Sequence, residues 1–302
     1  MSKLKKAILF LILANIIWGA SFPIYKWTLT EIQPFTFAFL RFVIAAILIL
    51  PFTYKNLRVD KKDIPLLILA SIISITLSIP IMLFGLKLSP SINAPIIVSS
   101  SPIFLIIASA LFLKDIVKTK VLIGTIVSLV GILIIMFRPF AVGGFTGLVL
   151  GNLLIFISML CGIAQTLILK KLMNKNEPLT IVFWSFIIGS LPLLIPIALF
   201  EPNIGNINFF STPVIIGIAY AAILSSAIAH YFSFFGIKYL PASEIGIFSY
   251  VDPIATIIIA IPLLSEKITS LYMLGAFFVF FGIFIAEERI HYHPLHRLFK
   301  KG

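Results

Sequence analysis

The chain has 302 residues, 60% of them hydrophobic and 11% charged, with a mean hydropathy of +1.15. A soluble domain carries roughly 25% charged residues, so this balance excludes an ordinary aqueous core and points to a chain that crosses a bilayer several times. The formal charge of +12, from 23 Lys and Arg against 11 Asp and Glu, needs no nucleic acid, because membrane proteins collect basic residues in their cytoplasmic loops.

The first apolar run, 7–27, follows Lys3, Lys5 and Lys6 and continues without a small-x-small cleavage site. It is expected to be a retained helix rather than a leader. Further runs follow at 34–54, 64–86, 91–113, 121–137, 147–169, 179–200, 213–236, 243–264 and 271–287. Most match the roughly 17–25 residues that a membrane-crossing helix needs, which predicts an all-α integral membrane protein of ten transmembrane helices. With ten spans, 18 of the basic residues fall on one side and 4 on the other, while Arg41 lies within a span. That bias predicts a multi-pass plasma-membrane protein with both termini in the cytoplasm.

Residues 84–135 reappear at 235–286 with a constant offset of 151: Gly85, Lys87, Pro90, Pro102, Gly124 and Gly131 become Gly236, Lys238, Pro241, Pro253, Gly275 and Gly282. A weaker echo at an offset of 144 relates Lys26, Pro34, Thr36 and Phe39 to Lys170, Pro178, Thr180 and Phe183. The expected units are 1–138 and 147–302. Five spans in each would make them two inverted five-helix repeats, an arrangement used by many secondary transporters.

Charged groups inside hydrocarbon demand a partner, a wet cavity or a route to the surface, and this singles out Arg41, His230 and Asp252. Asp252 lies about 13 Å from its helix end. It reads as a ligand for a cationic substrate group, a site of proton coupling, or the counter-ion of a buried Arg. Arg41 reads as its partner, an anion contact or a snorkelling side chain. His230 suits a proton relay or a structural hydrogen bond. Glu244, eight residues before Asp252, lies on roughly the same face and also reads as a capping carboxylate. Asn15, Asn152 and Gln165 are expected to face a cavity or bond helices together, and Trp18 and Trp184 to stack on a solute. Pro102 and Pro253, at equivalent depths, are expected to kink their helices and so to provide either a binding surface or a gate. The repeat partners of Asp252 and Arg41 are Ser101 and Ser185, so the site should be electrostatically lopsided.

Cys161 is the only cysteine, which excludes an intramolecular disulfide and a cysteine-based metal cluster. No P-loop or dinucleotide fingerprint is present, and neither cofactor nor metal is expected. His291, His293 and His296 lie in a basic tail that reads as lipid-adhering, with metal binding as the alternative.

The residues Trp18-Gly19-Ala20-Ser21-Phe22, Arg41-Phe42 and Gly85-Leu86-Lys87-Leu88-Ser89-Pro90, with Gly236-Ile237-Lys238-Tyr239-Leu240-Pro241-Ala242, Asp252-Pro253 and Ser265-Glu266-Lys267, resemble the EamA family of the drug/metabolite transporter superfamily. The likeness covers nearly the whole chain. It departs from the family pattern at Lys114-Asp115, where a Gly-Glu ending is usual. The resemblance implies a permease, not an enzyme, that exports amino acids or other small metabolites by alternating access through a central cavity. Proton coupling and a homodimer are compatible with it. The alternatives are a broad-specificity toxin or drug exporter and a membrane enzyme acting on lipid-linked substrates.

Overall fold

The computed structural model describes residues 2–113, 119–143, 147–173, 175–202, 204–240 and 245–286. Every regular element among them is helical: α1 Lys3–Thr28, α2 Pro34–Asn56, α3 Ile64–Leu88, α4 Asn93–Ser99, α5 Ser101–Leu113, α6 Thr119–Gly143, α7 Gly147–Leu172, α8 Pro178–Phe200, α9 Thr212–Tyr239, α10 Asp252–Leu264 and α11 Ser270–Ala286. Large apolar side chains face outward, among them Phe52 and Leu199, which would be unstable against water and is the expected face toward lipid.

The expectation of ten membrane-crossing helices in two inverted five-helix repeats is corrected by the helix lengths. Six helical stretches among the described residues are long and apolar enough to cross: α1, α2, α3, α7, α8 and α9. The remaining apolar stretches among the described residues, Asn93–Leu105, Leu122–Ile135 within the longer α6, Phe248–Leu264 and Ser270–Ile285, are shorter. Seventeen residues at 1.5 Å each reach about 25 Å, less than the hydrocarbon thickness of about 30 Å. Two runs are cut by proline. Pro102 stands in the first turn of α5, behind the break at Ser100, and Pro253 in the first turn of α10, behind the 3₁₀ segment Gly246–Val251. A proline has no N–H for the carbonyl one turn earlier, and in both runs a regular α-helix begins at the residue before the proline.

The internal echo reappears as duplicated contacts at helix ends. The Lys26 ammonium donates to the carbonyls of Leu86, at 3.1 Å, and Ser89. Lys170 donates to those of Ile237, at 2.7 Å, and Leu240. Both lysines therefore cap the carbonyl-rich end of a long helix, where a cation also meets the negative end of the helix dipole. The opposite polarity is met by carboxylates. Glu201 accepts from the N–H groups of Phe35 and Thr36, each at 2.8 Å, at the start of α2, and Glu266 accepts from those of Ser91 and Ile92 before α4.

Helices α6 and α11 form the most intimate pair and cross antiparallel. A Cβ at Gly131 would lie 2.5 Å from the Gly275 carbonyl oxygen, and one at Gly282 would lie 2.4 Å from that of Gly124. The Ser128 hydroxyl donates to the Val279 carbonyl across the contact at 2.9 Å. Backbone at that distance cannot yield as a flexible side chain would, so Gly131→Ala should lower stability by about 1–3 kcal/mol. Gly162, whose Cβ would meet nothing within 4 Å, is the control. Thermal unfolding in detergent should show Gly131→Ala melting below the parent and Gly162→Ala at or above it.

Candidate functional site

Helix α1 runs through the centre of the molecule, packed on α9 along one side and α10 along another. Gly19 makes the second contact possible, because a Cβ there would lie 2.5 Å from the Asp252 carbonyl oxygen. The Thr256 hydroxyl ties the two helices by donating to the carbonyls of Gly19, at 2.7 Å, and Asp252, at 2.8 Å. These contacts seat Asp252 at the start of α10, on the wall of a central cavity of about 260 Å³.

Asn15, Trp18, Arg41, Gln165, His230 and Asp252 all line this cavity. Trp184 does not; its indole N–H donates to the Leu57 carbonyl at 2.9 Å. Asn152 also lies elsewhere, accepting from the Asn93 amide at 3.1 Å and donating to the Ile135 carbonyl at 3.2 Å. Pro102 and Pro253 are buried behind the wall, at the starts of α5 and α10. Glu244 and the tail histidines lie outside the described residues.

The polar wall is organised by a pair of serines that sequence reasoning passed over. Helix α9 widens to a π-helix over Tyr220–Ile228, and its carbonyls there turn toward residue i+5. The Ser225 carbonyl is met by the His230 ring, five residues on, with Nδ1 at 2.8 Å, and by the Trp18 indole N–H at 3.1 Å. A carbonyl only accepts, so His230 Nδ1 carries the proton and Nε2 is left as an acceptor. The Trp18 and His230 rings meet edge to face at 5.3 Å. The Arg41 guanidinium donates from Nε to the Ser226 hydroxyl at 3.0 Å and from Nη2 to that of Ser225 at 3.3 Å. Its central carbon lies over the Tyr25 ring at 4.8 Å and the Phe42 ring at 4.6 Å, a stacked setting that suits a weakly hydrated cation. The adjacent hydroxyls Ser225-Ser226, within an otherwise apolar span, are the signal that would have marked them.

Arg41 is 1% exposed and Asp252 2%. No ion pair joins them among the described residues, and each keeps an atom without a protein partner: Nη1 of Arg41 and Oδ1 of Asp252. The Tyr25 hydroxyl, near Ser21 and Ser225, completes no hydrogen bond either. Two residues of opposite formal charge thus line one cavity, and each has a buried polar atom with no partner among the described residues. Asn15 does not bridge them, since its amide donates back to the Leu11 carbonyl on its own helix at 2.7 Å. Among the described residues no group of three His, Cys, Asp or Glu side chains is placed to hold a metal ion.

Known proteins resemble this chain in fold and in sequence. A solved structure matches with a TM-score of 0.66 over 93% of this chain and 96% of its own, at 15% identity, which establishes a common fold. An uncharacterized transporter of Archaeoglobus fulgidus is 26% identical over 278 residues, covering 90% of this chain and 95% of its own length. The uncharacterized transporter YetK of Bacillus subtilis is 26% identical over 280 residues, covering 90% and 84%. The model of the EamA-like transporter family matches twice, over residues 5–137 and 149–286. With a multi-pass helical body in keeping with the plasma membrane and a central solute-sized cavity, the chain belongs to the EamA-like transporter family and is a secondary-transporter-like membrane protein rather than an enzyme.

Proposed function

We propose that the protein exports amino acids or other small zwitterionic metabolites by alternating access of the central cavity to the two sides of the membrane. The observation that supports this reading is the oppositely charged couple Arg41 and Asp252, which line one cavity and each keep a buried atom, Nη1 and Oδ1, without a partner among the described residues. A substrate carboxylate would complete the guanidinium, and a substrate ammonium would complete the carboxylate. Each such contact is a charge-assisted hydrogen bond. Trp18, Gln165 and the Nε2 acceptor of His230 supply neutral contacts around the substrate's side chain. A volume of about 260 Å³ lies at the small end of ligand pockets, which favours a small metabolite over a bulky toxin.

The moving parts in this proposal are the two family-matched segments, which meet at α1 on α9 and α10. Lys3, Lys5 and Lys6, together with Lys55, Arg58, Lys61 and Lys62 two spans later, support a cytoplasmic amino terminus. The C-terminal tail is assigned to the same side on its basic residues; it lies outside the described residues.

Among the described residues Asp252 has no cationic partner, and this favours proton coupling at the same atom. A bare carboxylate is costly in this setting, so a proton takes the place of the substrate ammonium on the return step. Substrate and proton then exchange across the membrane.

In vesicles loaded with an amino-acid mixture, the parent should move at least one component, and Arg41→Gln and Asp252→Asn should each slow it by roughly ten- to a hundredfold, the effect of losing about 1.5–3 kcal/mol of charged hydrogen bonding. Both variants must first elute and melt as folded protein, because an unpaired buried charge also endangers stability. Parental rates in both folded variants would rule the couple out as the substrate site. Uphill flux by the parent should collapse when the proton gradient is dissipated, and the residual flux of Asp252→Asn should be indifferent to it. Uphill transport that survives dissipation would remove proton coupling.

A further inference from the structure

A second cavity, of about 460 Å³, shares no lining residue with the central one. It lies beside the Lys26-capped turn, between α4, α6, α7 and the start of α11. Tyr272 lines it, is 6% exposed, and its hydroxyl has no hydrogen-bond partner among the described residues. A buried hydroxyl left unpaired is destabilising unless an occupant supplies the partner.

The surrounding groups define the occupant's chemistry. Asn93 and Asn152 are tied to each other and to the Ile135 carbonyl, so they form a fixed polar wall. Both carboxylate oxygens of Glu266 are taken by the N–H groups of Ser91, at 2.7 Å, and Ile92, at 3.1 Å, so its negative charge is already answered. Lys267, exposed at the rim, has no hydrogen bond or ion pair to another described residue. What remains available is a donor hydroxyl and an ammonium, the pair that recognises a phosphate. Two further lining residues, Leu148 and Leu271, are among the large apolar side chains exposed on the lipid-facing surface. The cavity therefore opens sideways into the bilayer rather than toward the transport path.

We infer that this alcove holds an acidic phospholipid, its phosphate on Lys267 and Tyr272 and an acyl chain along Leu148 and Leu271. The alcove is walled by both family-matched segments, because Asn93 and Ile135 belong to the first and Asn152, Lys267 and Tyr272 to the second. Bound lipid would then stabilise the association of α4, α7 and α11 without entering the substrate site.

Purified full-length protein would be reconstituted in phosphatidylcholine alone, in phosphatidylcholine with phosphatidylglycerol, and in phosphatidylcholine with excess inorganic phosphate, and thermal unfolding followed in each. The parent should unfold several degrees higher with phosphatidylglycerol, and Lys267→Gln and Tyr272→Phe should each lose most of that rise while keeping the parental melting point in phosphatidylcholine to within a degree or two. Native mass spectrometry should find phosphatidylglycerol retained by the parent and depleted from Lys267→Gln. An equal rise in parent and both variants would overturn the assignment. So would inorganic phosphate alone reproducing the whole rise, which would make the alcove a site for a soluble anion. Neither result depends on which solute the central cavity carries.

Discussion

The buried Arg41 guanidinium is the group on which the interior of this protein depends. A permanent cation in the hydrocarbon layer is tolerated only when its donors are met and its faces covered. Here two serine hydroxyls on α9 take two of the donors, and Tyr25 and Phe42 cover the planar faces. That requirement fixes where α1, α2 and α9 stand relative to one another. It also bears on the cavity, since Arg41, with one guanidinium nitrogen left unpartnered among the described residues, lines the same space as Asp252.

Much of the site's cast was legible in the sequence, because a charge or amide in an apolar run is conspicuous. Asn15, Trp18, Arg41, Gln165, His230 and Asp252 stood out in that way, and all six line one cavity. The organising serines did not, since a hydroxyl is unremarkable in a membrane helix and the role of Ser225 depends on its backbone carbonyl. Helical periodicity carries no trace of a local change from i+4 to i+5. Asn152 was as conspicuous as Asn15, yet its amide is committed to Asn93 and Ile135 around the other cavity. Polarity marks a residue as needing partners and leaves open which partners those are.

The helix count failed for a related reason. Hydropathy integrates over a window and registers a run as continuous whenever its side chains are apolar, whether or not the backbone hydrogen bonds run through. At Pro102 and Pro253 the side chains stay apolar while the backbone ladder is interrupted, so two runs are each divided. The repeated spacing of residues has a counterpart in the twin lysine caps on carbonyl ends. Those caps rest on main-chain geometry, which tolerates extensive side-chain change between the copies.

The widened turns have a consequence for how such a chain can vary. Helix α3 carries a π-helical stretch over Ile72–Ser78, and α9 carries one over Tyr220–Ile228. A π turn is an α turn with one surplus residue accommodated. Removing one residue from the stretch in α9 would let the helix close back to ordinary pitch while the turns on either side keep their faces toward the same neighbours. The span would survive with its length almost unchanged, and only the side chains in and next to the widened turn, with the Ser225 carbonyl among them, would be re-aimed. A one-residue length change, which in an ordinary α-helix rotates all that follows by about 100°, is absorbed at this place within the wall of the cavity.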